Sequence, residues 1–388
     1  MTKQKSVIGI LVHEPDESRI HDSGTPERVP ENSFCRELCR LGRELGLFVY
    51  VFWASNVRAA SSTIRGYIHR RGKWEAVDCP LPDFIYDRTL CKNASDRRDR
   101  HAALSALKES HLFILLNGSL PGKWDVYEAM LGDELLRPML PPTYRYNGLE
   151  LLSELMNSHR SGLFLKPSAG YQGRGALRLE QCAEGYRISG RNAGNKPLHR
   201  TFAHLNDFTL WIEPFARSAA YIIQPYLQLT DMNGLAFDIR SLIQKDERGR
   251  WHTTGSALRV GEAGSVTANL HGGGTAQEAF KGLSHRFGAN KARELLARMN
   301  RINERAAILL EQRFGRLCEL GFDYGVEPDG RLWLLEANAK PGRQSFQDNT
   351  ETARNAAVRP LQYALLLANS RSPLFQSNVQ TTVTARWR

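Results

Sequence analysis

One hairpin constrains this chain more than any other segment. Residues 321–342 read GFDYGVEPDGRLWLLEANAKPG. Asp329-Gly330 is a strong signal for a two-residue turn, and pairing outward from it sets Asp323 directly opposite Glu336. The same register pairs Phe322 with Ala337, Tyr324 with Leu335, and Val326 with Trp333. Side chains alternate along a strand. Those three pairs therefore make one apolar face, and Asp323, Leu334, Glu336 and Asn338 share the other.

Two carboxylates set face to face repel, and folding alone gives no reason for the pairing. A divalent cation resolves it. Hard cations take carboxylate and amide oxygens, and three such ligands with open positions suit Mg²⁺ held jointly with phosphates. The alternative is that both carboxylates are solvated on an exposed sheet face. The reading also depends on register, since a slip of one residue parts the pair.

Residues 163–179, LFLKPSAGYQGRGALRL, place Lys166 on an apolar strand ahead of a loop containing Gly170, Gln172, Gly173 and Gly175. Glycines let backbone N–H groups close on phosphate oxygens, and lysine adds a point charge. A strand follows rather than a helix, and Gly-Lys-Ser/Thr is absent, so neither a Walker A loop nor a dinucleotide fingerprint fits. A plain flexible hairpin is the competing reading. Further on, Asp238 and Arg240 share one strand face, Arg259 lies on another strand, and Asn269 precedes three glycines in TANLHGGG. Together these describe a pocket charged for phosphate.

The rest of the chain frames that pocket. Its 388 residues suit two or three domains at roughly 100–200 residues each. Apolar strands at Val7–Val12, Leu47–Trp53, Asp83–Tyr86 and Leu112–Leu116 alternate with helical patterns. One pattern runs Phe34, Leu38, Leu41, Leu45, and another covers Ala102–Lys108, so a parallel α/β sheet is expected. A hairpin turning at Arg71-Gly72 lies among them. Helices are expected at Trp124–Leu136, Gly148–Ser158 and Asn290–Leu320, with strands dominating from Gly162 to Gln244. Lys and Arg number 52 against 41 Asp and Glu, a net +11, which favours anionic partners: nucleotides, acidic peptides, anionic polymers or nucleic acid. Nucleic acid is disfavoured, because there is no recognition helix, aromatic RNA-binding motif or zinc spacing. Six cysteines are too few for a disulfide framework. No apolar run reaches 18 residues, so no membrane span is expected. A cytoplasmic protein is the expectation.

The order of these parts resembles the ATP-grasp superfamily. Lys123 comes first, then the Lys166 glycine loop, Gln224-Pro225-Tyr226-Leu227, Asp238-Ile239-Arg240, Arg259, Asn269, and finally Asp323 with Glu336-Ala337-Asn338. Within it the chain is similar to the YheC/YheD, endospore coat-associated type. The shared motifs are IYDR (85–88), GKWDVYEAML (122–131), PPT (141–143), FDIR and ANLHGGG.

The resemblance implies an α/β (α+β) protein with the ATP-grasp fold. It has an N-terminal pre-ATP-grasp domain at 1–117, a small lid subdomain at 118–228, and a larger β-rich subdomain with the metal site at 229–372. A tail follows at 373–388. It further implies that Lys123, Lys166, Gly170, Gln172, Gly173 and Gly175 hold the phosphates. Gln224, Tyr226 and Leu227 would form the adenine hinge, and Leu334 would pack under the base. Asp323, Glu336 and Asn338 would bind Mg²⁺, as one or two ions, with Mn²⁺ an acceptable substitute. Arg240, Arg259 and Asn269 would be catalytic. The implied activity is an ATP-dependent carboxylate–amine ligase working through an acyl-phosphate on small-molecule or peptide substrates, or on an acidic polymer. The implied location is spore-associated. The other reading is a coat protein that keeps the fold and the nucleotide but does not turn over.

Overall fold

The computed structural model describes residues 6–15, 25–91, 93–170, 173–262, 268 and 273–370. Three six- or five-stranded sheets organise them. The first contains β1 (Val7–Leu11), β2 (Phe48–Phe52), β3 (Thr63–Arg70), β4 (Lys73–Pro80), β5 (Phe84–Asp87) and β6 (Ile114–Leu115), in the order β4-β3-β2-β1-β5-β6. Strands β2, β1, β5 and β6 run parallel. Parallel neighbours need a crossover, which α1 (Asn32–Glu44) and α2 (Ala94–Ser110) supply. The expected Arg71-Gly72 hairpin joins β3 to β4, with both turn residues at positive φ, 46° and 82°, as a type I′ turn requires. Cys35 and Cys39 are unpaired and buried on the core face of α1.

The second sheet is wholly antiparallel. It comprises β7 (Tyr144–Arg145), β8 (Leu163–Pro167), β9 (Leu177–Cys182), β10 (Gly185–Arg191), β11 (Pro197–Phe202) and β12 (Tyr221–Pro225), ordered β11-β10-β9-β8-β12-β7. Helix α4 (Leu149–Ser158) and helix α5 (Leu205–Arg217) cover one face, where Leu152, Leu165, Leu179, Phe208 and Ile212 form its core. Strands dominate from Gly162 to Gln244 as expected, with helix α5 set among them. Pro214 interrupts its pattern, yet Phe208, Ile212 and Ala216 still fall on one buried stripe.

The third sheet is also antiparallel: β13 (Phe237–Lys245), β14 (Trp251–Val260), β15 (Thr275–Glu278), β16 (Glu319–Val326) and β17 (Leu332–Asn338), ordered β15-β14-β13-β16-β17. Helices α6 (Ala279–Phe287) and α7 (Ala289–Phe314) pack on its apolar face through Leu283, Leu295, Met299 and Ile302. Helix α7 stops at Phe314, short of the expected Leu320, because Gly315 ends it and Glu319 already belongs to β16.

Two segments pack away from their neighbours in sequence. Helix α3 (Lys123–Leu131) is shorter than the expected Trp124–Leu136. Its Val126 and Met130 lie in the core of the third sheet. Helix α8 (Thr350–Asn369) returns to the first sheet, where Ala357, Leu361 and Ala364 pack with Ile8 and Leu38. Among the described residues no helix is long and apolar enough to cross a membrane.

Candidate functional site

The third sheet carries a row of charged side chains across four adjacent strands. On β13, Asp238 lies opposite Arg259 of β14, and Arg240 lies opposite Asp323 of β16. Asp323 in turn lies opposite Glu336 of β17. Directly opposed residues point to the same face, so Arg259, Asp238, Arg240, Asp323 and Glu336 share one side. Leu258, Ile239, Phe322 and Tyr324 fill the core on the other.

The row is bound together without a ligand. Arg240 donates from Nε to Asp323 Oδ1, and from Nη2 to Oδ2 at 2.8 Å. Arg259 grips Asp238 with both donors, at 2.6 and 2.7 Å, and reaches Asp323 Oδ1 at 3.1 Å. The Asn338 amide is 3.5 Å from Asp323 Oδ2. Burial alone would raise the Asp323 pKa, but Arg240 and Arg259 outweigh it and hold the group below the usual carboxylate range. Glu336 is less committed: its nearest cation is the Lys123 ammonium at 3.7 Å.

The Asp323–Glu336 pairing matches the sequence reading, but by a different route. The turn is a three-residue loop, closed by Glu327 and Arg331, with Gly330 at φ 84°. Pairing beyond it is therefore offset by one: Tyr324 opposes Leu334 and Val326 opposes Leu332. A bulge between Leu334 and Glu336 restores the register before the carboxylates are reached. The bulge reassigns two side chains. Leu334, expected under the base, is 2% exposed and packs in the core with Tyr324. Leu335 lines the cleft above the row instead.

That cleft, of about 170 Å³, lies between the second and third sheets. Its upper wall is Phe164, Lys166, Gly170, Gly173 and Ala176. Lys166 projects from β8, is 9% exposed, and has no ion-pair partner within 4.0 Å among the described residues. Burial pushes its ammonium down to about 8, against the pull of Glu336. Gly170, Gly173 and Gly175 all hold positive φ. At Gly175 a Cβ would also come within 2.8 Å of the Tyr221 hydroxyl, so the loop takes its path only with glycine there. Lys123, at the start of α3, donates to the Gly170 carbonyl at 2.9 Å. It thereby ties the loop to the row through Glu336.

Gln224, Tyr226 and Leu227 line the far end of the cleft. The Gln224 amide donates to Thr143 Oγ1 at 2.8 Å, and the Tyr226 N–H is spent on the Gly162 carbonyl at 2.9 Å. Tyr226's ring lies 4.0 Å from the Arg178 guanidinium. The Leu227 N–H has no hydrogen-bond partner among the described residues, which leaves it free to meet a planar heterocycle. Gln172 and Asn269 lie outside the described residues. So does most of the TANLHGGG stretch.

Sequence reasoning left Asp238 without a role and Leu335 on the wrong face. Asp238 was visible as sharing a face with Arg240, but only the β13–β14 register shows that it clamps Arg259. The bulge that exposes Leu335 has no glycine or proline to announce it.

The oxygen donors suit a hard cation. Asp323, Glu336 and Asn338 stand together on β16 and β17, and among the described residues the ion pair of Glu336 is the long one to Lys123 at 3.7 Å. Among the described residues, no cluster of three or more His, Cys, Asp or Glu side chains could hold a metal alone.

Comparisons with known proteins bear on the same arrangement. Residues 113–367 match the YheC/D like ATP-grasp family. The chain is 27% identical over 321 residues to the endospore coat-associated protein YheC of Bacillus subtilis (strain 168), covering 82% of this chain and 87% of that one. Among solved structures it superposes on D-alanyl-alanine synthetase A from Vibrio cholerae with a TM-score of 0.51 at 10% identity, covering 94% of this chain and 98% of the other. The macrocyclase MdnC of Microcystis aeruginosa, solved with its precursor peptide MdnA, gives 0.51 at 13% identity, over 93% and 99%. These structural likenesses establish the fold that the three sheets, the glycine loop and the carboxylate row already describe. The chain belongs to the YheC/D like ATP-grasp family.

Proposed function

We propose that this protein is an ATP- and Mg²⁺-dependent ligase that joins a carboxylate to an amine through an acyl-phosphate. The observation that carries the reading is the charged row Arg259–Asp238–Arg240–Asp323–Glu336, facing a cleft whose roof holds the buried Lys166, which has no ion pair among the described residues. A buried ammonium with no ion pair within 4.0 Å among the described residues is costly, and a nucleotide phosphate supplies a partner.

In this reading the base lies between Leu335 and Phe164 and meets the Leu227 N–H. Lys166 and Lys123 take the phosphates, and the Gly170–Gly175 loop closes over them. Asp323, Glu336 and Asn338 would hold Mg²⁺, which supplies charge neutralisation to the transferring phosphoryl group. Arg240 and Arg259 are already aimed and fixed by carboxylates, so they stabilise developing charge without reorganising. The acid's carboxylate oxygen attacks the γ-phosphorus. The bond to ADP breaks, and its electron pair leaves on the ADP oxygen. A neutral amine then attacks the acyl carbon, phosphate departs with the C–O electron pair, and the amine's proton goes to solvent or phosphate. Positioning and electrostatics do most of this work. Among the described residues no side chain is placed as a dedicated base.

The relatives support the reading at different levels. The Vibrio protein's name is that of a synthetase, and MdnC's names a peptide, which extends the amine or acid to peptides. YheC's name places it at the endospore coat, and coat association belongs to the same proposal.

The test is ADP release in the presence of Mg²⁺, pooled carboxylic acids and hydroxylamine as a general amine. The expected result is ADP together with hydroxamate, both lost in Arg259→Met. Tight Mg²⁺-ATP binding with no ADP from any acid pool would favour a coat protein that retains nucleotide without turnover.

A further inference from the structure

A second cavity, of about 470 Å³, opens beside the nucleotide cleft. The two share Lys123, Lys166, Gln224 and Glu336 as walls, so they are continuous. A volume of this size holds a small organic acid or the end of a peptide. Its remaining charged wall comes from residues that do not line the nucleotide cleft: Arg97 and Arg100 in α2, and Lys340 after β17.

The charge on that wall is not balanced. Arg100 and Lys340 both bond the same carboxylate, Asp87 Oδ2, at 2.6 and 2.7 Å. Two cations on one buried anion leave a positive surplus. Arg97 lines the cavity with no ion pair or side-chain hydrogen bond among the described residues. The only carboxylate among the described lining residues is Glu336, which belongs to the nucleotide end. ATP and Mg²⁺ account for Lys123, Lys166 and Glu336, and they leave Arg97 and the surplus at Asp87 unmatched. Leu90, Leu120 and Leu140 line the same space and suit an aliphatic spacer.

Resting on the ligase reading, we infer that the acid substrate of this protein is a dianion of dicarboxylate type. One carboxylate faces the phosphates, and the second is held by Arg97 with the surplus charge of Arg100 and Lys340 beside it. A guanidinium pairs with a carboxylate through two parallel donors. Arg97 is exposed at the mouth of the cavity, so a monoacid of equal length would leave it to solvent and forgo the paired donors, which favours the dicarboxylate.

Calorimetric titration of the full chain loaded with Mg²⁺-ADP tests this. The probes are glutarate and adipate, each compared with the monoacid of the same length, pentanoate and hexanoate. The dicarboxylates are expected to bind at least about 10-fold more tightly. Arg97→Gln is expected to remove that preference while leaving Mg²⁺-ADP affinity and the melting temperature unchanged. Arg97→Lys should restore part of it. With hydroxylamine present, the same loss should appear in the KM for the dicarboxylate rather than in kcat. Equal affinity for the paired acids, a preference that survives in Arg97→Gln, or no dicarboxylate bound up to about 10 mM would each overturn the inference while leaving the nucleotide site standing. Failure of Mg²⁺-ADP itself to bind would overturn the ligase reading and this inference with it.

Discussion

Asp238 shows how much of a site can rest on a residue that need not touch the substrate. Its two oxygens take both forked donors of Arg259, at 2.6 and 2.7 Å, and so fix the plane of a guanidinium that is only 7% exposed. Arg259 is then committed in direction before any nucleotide arrives. Replacing Asp238 with Ala leaves a buried arginine with Asp323 alone, and Asp323 is already shared with Arg240. Breaking a buried pair from one side typically costs about 3–5 kcal/mol. Here Asp323 absorbs part of that, and a loss of roughly 3 kcal/mol is expected. Urea unfolding with an unchanged slope would read it out. A loss below about 0.5 kcal/mol, the scale of an ordinary surface change, would show that Asp238 does not hold Arg259.

Elements explain what the sequence could and could not disclose. The paired carboxylates were legible because Asp329-Gly330 marks a turn and strand side chains alternate. The turn is one residue longer than the Asp-Gly signal predicts, the bulge at Leu335 carries no signal, and the two offsets cancel at Asp323. Strand β8 and its glycine loop were legible from composition. Helix α5 was not, because Pro214 interrupts its pattern, and the end of α7 was hidden because apolar residues continue past Gly315 into β16. A bulge leaves no compositional mark, since any residue can occupy it when neighbouring strands hold the register.

The bulge makes a contrast that can be measured. Leu334→Ala removes a core side chain and should cost about 2–5 kcal/mol of stability, with nucleotide affinity following only through folding. Leu335→Ala should leave the melting temperature nearly unchanged and weaken ATP about 5- to 10-fold, the scale of one partly buried leucine face. The reverse pattern in melting and calorimetry would mean that the sheet keeps the unbulged register.

At the scale of the whole molecule, the first and third sheets are locked together by a buried ion network. Arg88, at the end of β5, donates to Glu31 at 2.7 and 2.8 Å and to Glu319 at 2.7 Å. Arg343 donates to the other oxygen of Glu319. Arg88 therefore serves the junction rather than a substrate. Burial alone would raise the Glu319 pKa, and Arg343 and Arg88 together pull it below its ordinary value. A carboxylate lowered in the folded state contributes stability above the usual carboxylate range and loses it as pH falls through the folded value. The melting temperature should therefore be flat from about pH 8 to 5 and fall below about pH 4. Arg88→Met should cost roughly 3 kcal/mol and move the onset of the acid loss upward. A stability loss centred near neutral pH in the unaltered protein would contradict this account of the junction.

The central claim is that the Asp323–Glu336 pair, roofed by Lys166, forms a Mg²⁺-nucleotide site. It is tested most directly by calorimetric binding of ATP with and without Mg²⁺, in the unaltered protein and in Glu336→Ala. Glu336 is half-exposed and its nearest cation is 3.7 Å away, so the substitution should leave the fold intact. The account predicts that Mg²⁺ tightens ATP binding in the unaltered protein by at least about 10-fold, and that Glu336→Ala abolishes the Mg²⁺ dependence while melting as before. ATP binding of equal strength with and without Mg²⁺, or a Mg²⁺ dependence that survives in Glu336→Ala, would contradict it.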